Sequence, residues 1–330
     1  LAREGLFLAL PLPHAGWYRV VVNTLRPDQD VAENDLRLGH FQRWLENRTH
    51  HPDARIVDSI WMSRFRISRR IISQFRTGPI FFAGDAAHVH SPAGGQGMNT
   101  GIQDAVNLAW KLAAVLSREA PDRLLDSYET ERRPVAEAVL KATDRLTRAA
   151  TVQLGAAQWA RTAAAHLMLR SKRLQRYALQ RLAELTVCYP ASPLNFEGGV
   201  GPRPGQRAPD GCVEPASAPS PTRLYDCFHP THWQLLAFDG RTGDWASDET
   251  LNGLIASHRE SISVLYLHRE QGDHPQHLRA YRDASGAVFK AYGADRPVLV
   301  LVRPDRYIAG AVGPASMKRL REYLECWIPE

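Results

Sequence analysis

The chain has 330 residues, enough for two domains, and 44% of them are hydrophobic, ample for buried cores. Its formal net charge is +6, with 41 Lys and Arg against 35 Asp and Glu, but no basic run is interleaved with aromatics as a nucleic-acid groove requires. No apolar stretch reaches membrane-spanning length, and the scattered Cys188, Cys212, Cys227 and Cys326 form neither CxxC nor zinc spacing, which fits a reducing, cytoplasmic setting.

Residues 1–25 read as a hairpin: Leu6–Leu12 and Trp17–Leu25 are strand-rich and are joined by Pro13-His14-Ala15-Gly16. Residues 33–47 fit an amphipathic helix, with Leu36, Phe41, Trp44 and Leu45 facing inward. Over 55–67, Ile56, Ile60, Met62, Phe65 and Ile67 alternate with polar neighbours and predict a strand, on which Trp61, Ser63 and Phe65 share one parity. Arg64, Arg66, Arg69 and Arg70 form a basic cluster before the next apolar run, read as a solvated face, with the steering of a nicotinamide cofactor's phosphates as the alternative.

The chain is organised around Pro79–Leu116, PIFFAGDAAHVHSPAGGQGMNTGIQDAVNLAWKLAAVL. Ile80, Phe81, Phe82 and Ala83 are a short apolar run bounded by Gly78-Pro79 and Gly84, the pattern of a buried strand. Gly84-Asp85 places a carboxylate just past the strand end, where ligands of α/β sheets collect. Pro92, Gly94, Gly95 and Gly97 keep the backbone bare for a flat ligand. A helix then starts near Thr100, with Ile102, Ala105, Val106, Ala109, Leu112, Ala113 and Leu116 along one face. Its free N–H groups and positive dipole end point back at such a ligand.

This run, PxGGxGxN at fixed spacing with NLAWKL behind it, resembles the second flavin-binding motif of the FAD-dependent aromatic monooxygenases, the para-hydroxybenzoate hydroxylase-like group. The resemblance implies that Gly84 and Asp85 meet the ribityl hydroxyls of FAD. It implies that Pro92 stiffens the turn beside the ring's reactive edge, and that Gly94, Gly95, Gly97, Met98 and Asn99 approach the N1/O2 side. Pro92 and Asn99 are the nearest to catalytic positions, as flavin-positioning groups. His88 and His90 are candidate general bases by residue type, but they stand before the turn and read better as loop-bonded structural histidines. Asp104 reads as structural, suited to the helix dipole.

The first hairpin would belong to the sheet that roofs the substrate pocket, with Phe7, Ala9, Trp17 and Arg19, and beyond it Trp61, Ser63 and Phe65, as pocket candidates. Family members that take small benzoates carry Ser and Arg partners there. This chain carries Leu8, Leu10 and Leu12 instead, pointing either to a larger, apolar phenolic substrate or to ordinary core. The family also opens with a βαβ unit carrying GxGxxG, and no such unit precedes residue 79, so an N-terminal portion is expected to be missing from this chain.

Beyond the motif, Pro121 and Asp122 mark a helix start, Tyr128, Glu129 and Arg132 lock helix to sheet, and Pro134 interrupts or kinks the helix. Residues 135–186 read as Ala- and Leu-rich helices that pack on the flavin domain or on a second subunit. Residues 188–222 are a Pro/Gly/Ser-rich linker. After it, strands at Trp233–Phe238, Ser261–Leu267, Val298–Val302 and Tyr307–Val312, with helices at Ser247–His258 and Ser316–Trp327, resemble the thioredoxin-like C-terminal domain of phenol- and polyketide-hydroxylase types. Without CxxC that domain is expected to be structural or dimer-supporting.

The fold class is therefore α/β. Residues 1–77 form a substrate-binding sheet region, 78–187 the back part of a glutathione reductase-like Rossmann FAD domain with helices, 188–222 the linker, and 223–330 the thioredoxin-like domain. The resemblance implies an FAD- and NADPH- or NADH-dependent monooxygenase that hydroxylates a phenolic or polyketide ring through a flavin C4a-hydroperoxide. Its partners are a small aromatic substrate and dioxygen, with a homodimer possible and no metal, nucleic acid or membrane. The alternatives are a related epoxidase or Baeyer–Villiger oxygenase, or a flavin-free module for binding or oligomerisation.

Overall fold

The computed structural model describes residues 7–23, 31–32, 35–49, 51, 53–65, 68–90, 95–151, 170–216, 220–239, 245, 249–269 and 278–328. The chain divides into two compact units: Leu1–Arg69 with His90–Gly94 and Leu140–Arg176, and Arg70–Val89 with Gly95–Val139 and Tyr177–Glu330. Among the described residues no helix is long and apolar enough to cross a membrane.

In the first unit, β1 (Phe7–Pro11) and β2 (Tyr18–Val22) form the expected antiparallel hairpin. Phe7 faces Val22 and Leu10 faces Arg19 across the ladder. Side chains alternate along each strand. Phe7 and Ala9 therefore lie on one face, and Arg19 shares the other with Leu8 and Leu10. Helix α1 (Leu38–Arg48) begins five residues later than predicted. Its buried Arg48 donates to the Asn23 carbonyl at 2.6 Å. The strand expected over 55–67 is not formed: residues 54–65 carry no regular structure, and Trp61 is 74% exposed. Alternation alone makes no strand without a neighbouring edge to pair with.

The second unit begins with two short pairings. β3 (Arg70–Ile71) pairs with β6 (His88–Val89), and β4 (Arg76–Thr77) pairs with β5 (Ile80–Phe81). The buried strand expected over Ile80–Ala83 is thus a two-residue hairpin arm with Ile80 exposed. Such a run is buried only when neighbours cover both sides, and among the described residues β4 is its one strand partner. Helix α2 (Gly97–Leu116) follows, then α3 (Asp126–Thr151), of which the part up to Val139 belongs to this unit, and α4 (Lys172–Leu182), of which the part from Tyr177 does. Pro134 lies inside α3 and does not end it.

The second unit also holds a seven-stranded mixed sheet. Its elements in chain order are β7 (Cys212–Pro215), β8 (Thr222–Arg223), β9 (Trp233–Phe238), α5 (Glu249–Ser257), β10 (Ile262–His268), β11 (Arg279–Arg282), α6 (Ala287–Tyr292), β12 (Val298–Val302), β13 (Ile308–Val312) and α7 (Met317–Trp327). The strand order is β13-β12-β9-β10-β11-β7-β8, with β9, β10 and β11 parallel. β9 and β12 are buried throughout, so both faces are covered. Leu235, Leu299 and Leu301 pack with Leu251 and Leu254 of α5 and Leu320 and Leu324 of α7. Leu236, Phe238, Val298 and Val300 pack on the other face with Val288, Phe289 and Tyr292 of α6.

Within the stretch expected as a linker, several of the described residues are packed. Tyr189, Leu194, Ala208 and Val213 are buried, and β7 and β8 pair within the stretch. Gly205 shows why: φ is +76°, and a Cβ there would stand 2.4 Å from the Tyr189 carbonyl oxygen. The glycine permits close packing rather than flexibility.

Candidate cofactor site

Asp104 is the centre of the site. It sits two turns into α2, fully buried, and the Gly84 amide N–H donates to its Oδ2 at 3.1 Å. His88 Nε2 lies 2.7 Å from the same oxygen, and Arg132 Nε of α3 donates to Oδ1 at 2.7 Å. Burial alone would raise the carboxyl's pKa, but His88 and Arg132 outweigh it and hold the group below its ordinary value. Arg132 also donates to the Tyr189 hydroxyl at 3.0 Å and to the Thr100 carbonyl at 3.2 Å. Tyr128 and Glu129 complete the clamp: the Tyr128 hydroxyl donates to the Phe82 carbonyl at 2.8 Å, and Glu129 accepts the Phe75 amide at 2.8 Å.

This clamp presses the turn Gly84–Ala86 against the start of α2. Gly84 has φ +58°, a left-handed conformation that favours glycine. Asp85, next to it, is exposed, and among the described residues its carboxylate has no partner. Gly95 has φ +65° and is exposed, Gly97 opens α2, Met98 is 75% exposed and Asn99 is half-buried. No side chain caps the helix; the Gln96 amide points instead to the Arg181 carbonyl at 3.1 Å. The first amides of α2 therefore keep their donors and the positive dipole end for a ligand. A bare turn with an exposed carboxylate, beside an uncapped helix start, suits a polyol chain joined to a flat, electron-rich ring. Pro92 and Gly94, expected at the same site, lie outside the described residues.

A family profile described as "FAD binding domain" matches residues 4–143, and one described as "HcaD C-terminal domain" matches 208–326. The chain is 33% identical over 319 residues to the 6-methylpretetramide 4-monooxygenase of Streptomyces rimosus, covering 93% of this chain and 54% of that one. It is 29% identical over 299 residues to the pentachlorophenol 4-monooxygenase of Sphingobium chlorophenolicum, covering 90% of this chain and 53% of the other. Over most of its length the chain is thus similar to proteins named as monooxygenases, and a profile for FAD binding matches its N-terminal part. The solved anhydrotetracycline hydroxylase OxyS of Streptomyces rimosus superposes with a TM-score of 0.73 at 28% identity, over 98% of this chain and 58% of that one. The chain thus spans about half the length of the curated monooxygenases it matches.

In this chain the candidate pocket residues belong to the first unit. Phe7 and Trp17 are half-buried, Ala9 and Arg19 are exposed on opposite strands, Ser63 is half-buried, and Trp61 and Phe65 are exposed. In the basic cluster, Arg69 is ion-paired with Asp144, Arg70 is exposed, and Arg66 lies outside the described residues.

The sequence reading missed the polar stripe of α2. Thr100, Asp104, Asn107 and Lys111 are all fully buried, whereas Ile102 is 54% and Val106 52% exposed. The helix turns its polar face inward because charged partners wait there. The Glu131 carboxylate accepts Lys111 Nζ at 2.7 Å and Asn107 Nδ2 at 2.7 Å, and it also takes Ser192 and the Arg303 guanidinium. Asp305 accepts Trp110 Nε1 at 3.1 Å and pairs with Arg303. Burial lowers the Lys111 pKa to about 8, despite Glu131 beside it. The helical spacing of the four polar residues was the available signal.

Proposed function

We propose that this chain supplies the flavin-facing part of a monooxygenase that uses FAD and NADPH or NADH to hydroxylate an aromatic ring, phenolic or polyketide. The observation that carries the reading is the Gly84–Asp85 turn, clamped through Asp104 against the uncapped start of α2, with the Asp85 carboxylate left open. In this reading Asp85 holds the ribityl chain, and the amides of Gly97, Met98 and Asn99 favour negative charge on the ring, by about 0.3–1 kcal/mol for an exposed helix end. When bound, the flavin supplies the redox chemistry, taking reducing equivalents from the nicotinamide and activating dioxygen. The protein's share is to bind, orient and exclude water.

The substrate class follows from two supports. Leu8, Leu10 and Leu12 give the first hairpin an apolar, uncharged strand, and the relatives are named for pentachlorophenol and 6-methylpretetramide. The division at 1–77, 78–187, 188–222 and 223–330, with a Rossmann-like part and a thioredoxin-like end, belongs to the same proposal, as does a dimer-supporting role for that end. The sequence holds no GxGxxG unit, and Ile102, Ala105 and Val106 of α2 stay exposed.

The test is the visible spectrum of the purified chain, alone and after adding FAD, followed by NAD(P)H oxidation with phenols and fused-ring polyketides. Flavin bands retained through gel filtration, with substrate-stimulated oxidation, are the expected result. Flavin that passes through unbound overturns the reading.

A further inference from the structure

A buried line of contacts leads from the large sheet to the cofactor turn. Tyr307, just before β13, stacks on Tyr189 with ring centroids 4.3 Å apart. The Arg303 guanidinium, just after β12, lies 5.5 Å from the same Tyr189 ring. The Tyr189 amide donates to the Gly205 carbonyl at 2.8 Å, so its backbone is fixed as well as its ring. Its hydroxyl accepts Arg132 Nη1 at 3.0 Å, Arg132 Nε donates to Asp104, and Asp104 accepts the Gly84 amide. Every side chain on this line is buried.

We propose that Tyr189 is a positioning residue for the Gly84–Asp85 turn, setting it through Arg132 and Asp104 according to how the β12–β13 region is packed. The proposal rests on the reading of that turn as the FAD site. Arg132 is the element that makes the coupling directional. Its planar fork is held by Asp104 and the Thr100 carbonyl of α2 on one side and by Tyr189 on the other. Removing the Tyr189 hydroxyl leaves a buried guanidinium N–H without its acceptor. The guanidinium then turns to find another, and the Asp104 carboxylate that shares it loses its fixed orientation. Gly84 has no Cβ and a left-handed φ, so the amide bond to Asp104 is a principal restraint on it. In this way the C-terminal sheet has a part in cofactor binding without touching the cofactor.

The experiment is hydrogen–deuterium exchange of the full chain, read at the peptide covering Gly84–Ala87 and at β12, for the parent, Tyr189→Phe and Asp104→Asn. Tyr189→Phe keeps the ring on Tyr307 and removes only the hydroxyl. Exchange at Gly84–Ala87 is expected to quicken about tenfold, a change of ~1.4 kcal/mol, with β12 unchanged. Asp104→Asn is expected to quicken the same peptide, and it decides the matter if Tyr189→Phe does not fold. Unchanged exchange at Gly84–Ala87, or an equal increase at β12, overturns the proposal, since a merely structural role predicts one or the other. An FAD titration of Asp85→Ala separates the two readings. If that variant binds FAD as the parent does, the cofactor assignment fails while the exchange result still decides the positioning role.

Discussion

Gly84 and Gly101 stand so close that a Cβ on Gly101 would lie 3.3 Å from the Gly84 Cα. The contact sets how near the Gly84–Ala86 turn comes to α2. The two glycines respond differently to substitution. At Gly84 a Cβ has room, 3.6 Å from the Gly101 Cα, but φ is +58°, so Gly84→Ala is expected to cost about 1–2 kcal/mol in backbone strain. At Gly101, alanine gains about 1 kcal/mol of helix propensity against a tight contact, so Gly101→Ala is expected to be near neutral in stability. Gly101→Val adds bulk the turn has no space for and is expected to lose about 1–3 kcal/mol. Urea denaturation of the three variants orders them directly.

Glu131 is the carboxylate shared by two buried cations, Lys111 and Arg303, of which Arg303 also pairs with Asp305. Taking it away leaves both charges in a dry interior. Glu131→Ala is therefore expected to lose about 3–5 kcal/mol, while replacing Lys111 and Glu131 together by methionine removes a charge of each sign and is expected to cost much less than the two single changes added. A double-mutant cycle by chemical denaturation measures the coupling.

The same groups set the pH response. The Glu131 and Asp104 carboxyls both sit below their ordinary values of 4.5 and 3.8 in the folded chain; burial opposes this, but Arg303 and Lys111 at Glu131, and His88 and Arg132 at Asp104, outweigh it. A depressed carboxyl contributes stability that is present above the unfolded value and is lost as pH falls. Melting temperature is thus expected to fall steeply below about pH 4.5, with proton uptake on unfolding. Lys111 acts in the opposite range. Its folded value of about 8 against 10.5 means the unfolded state holds the proton longer, so its burial penalty is relieved between those two pH values. In Glu131→Gln the acid limb is expected to shallow by about one proton. A series of thermal melts from acid to alkaline pH reads each limb.

Much of the C-terminal sheet was legible because its signals are local. Trp233–Phe238 and Val298–Val302 are unbroken apolar runs, and both form strands over those same residues. The helix behind the glycine turn was equally clear, but its orientation was not. The apolar face at Ile102 and Val106 drew the reading, whereas the buried face carries Thr100, Asp104, Asn107 and Lys111, whose partners come from residues 131, 132, 184 and 305. Pairings that distant leave no mark in local periodicity. Glycines misled in a similar way, since Gly205 reads as linker and proves to be a packing contact with Tyr189. The strand at Arg279–Arg282 was missed because its arginines break the apolar pattern; Arg282 instead meets Glu214 of the neighbouring β7 at 2.6 Å.

Asp85 offers the cleanest separation of function from stability. Its carboxylate is exposed and, among the described residues, makes no bond to the rest of the chain. Asp85→Asn should therefore leave the melting temperature where it is, within the ±0.5 kcal/mol usual for surface positions. If the carboxylate accepts hydrogen bonds from the ribityl hydroxyls, the same change removes charge-assisted bonds worth about 1.5–3 kcal/mol, and the FAD dissociation constant should rise about ten- to a hundredfold. Asp104→Asn, one residue deeper in the same network, should do the reverse in proportion, losing stability as well as affinity because its three partners are all internal. Flavin titration paired with thermal melts on these two variants distinguishes a carboxylate kept for the ligand from one kept for the fold. Equal flavin affinity in Asp85→Asn and the parent would remove Asp85 from the site.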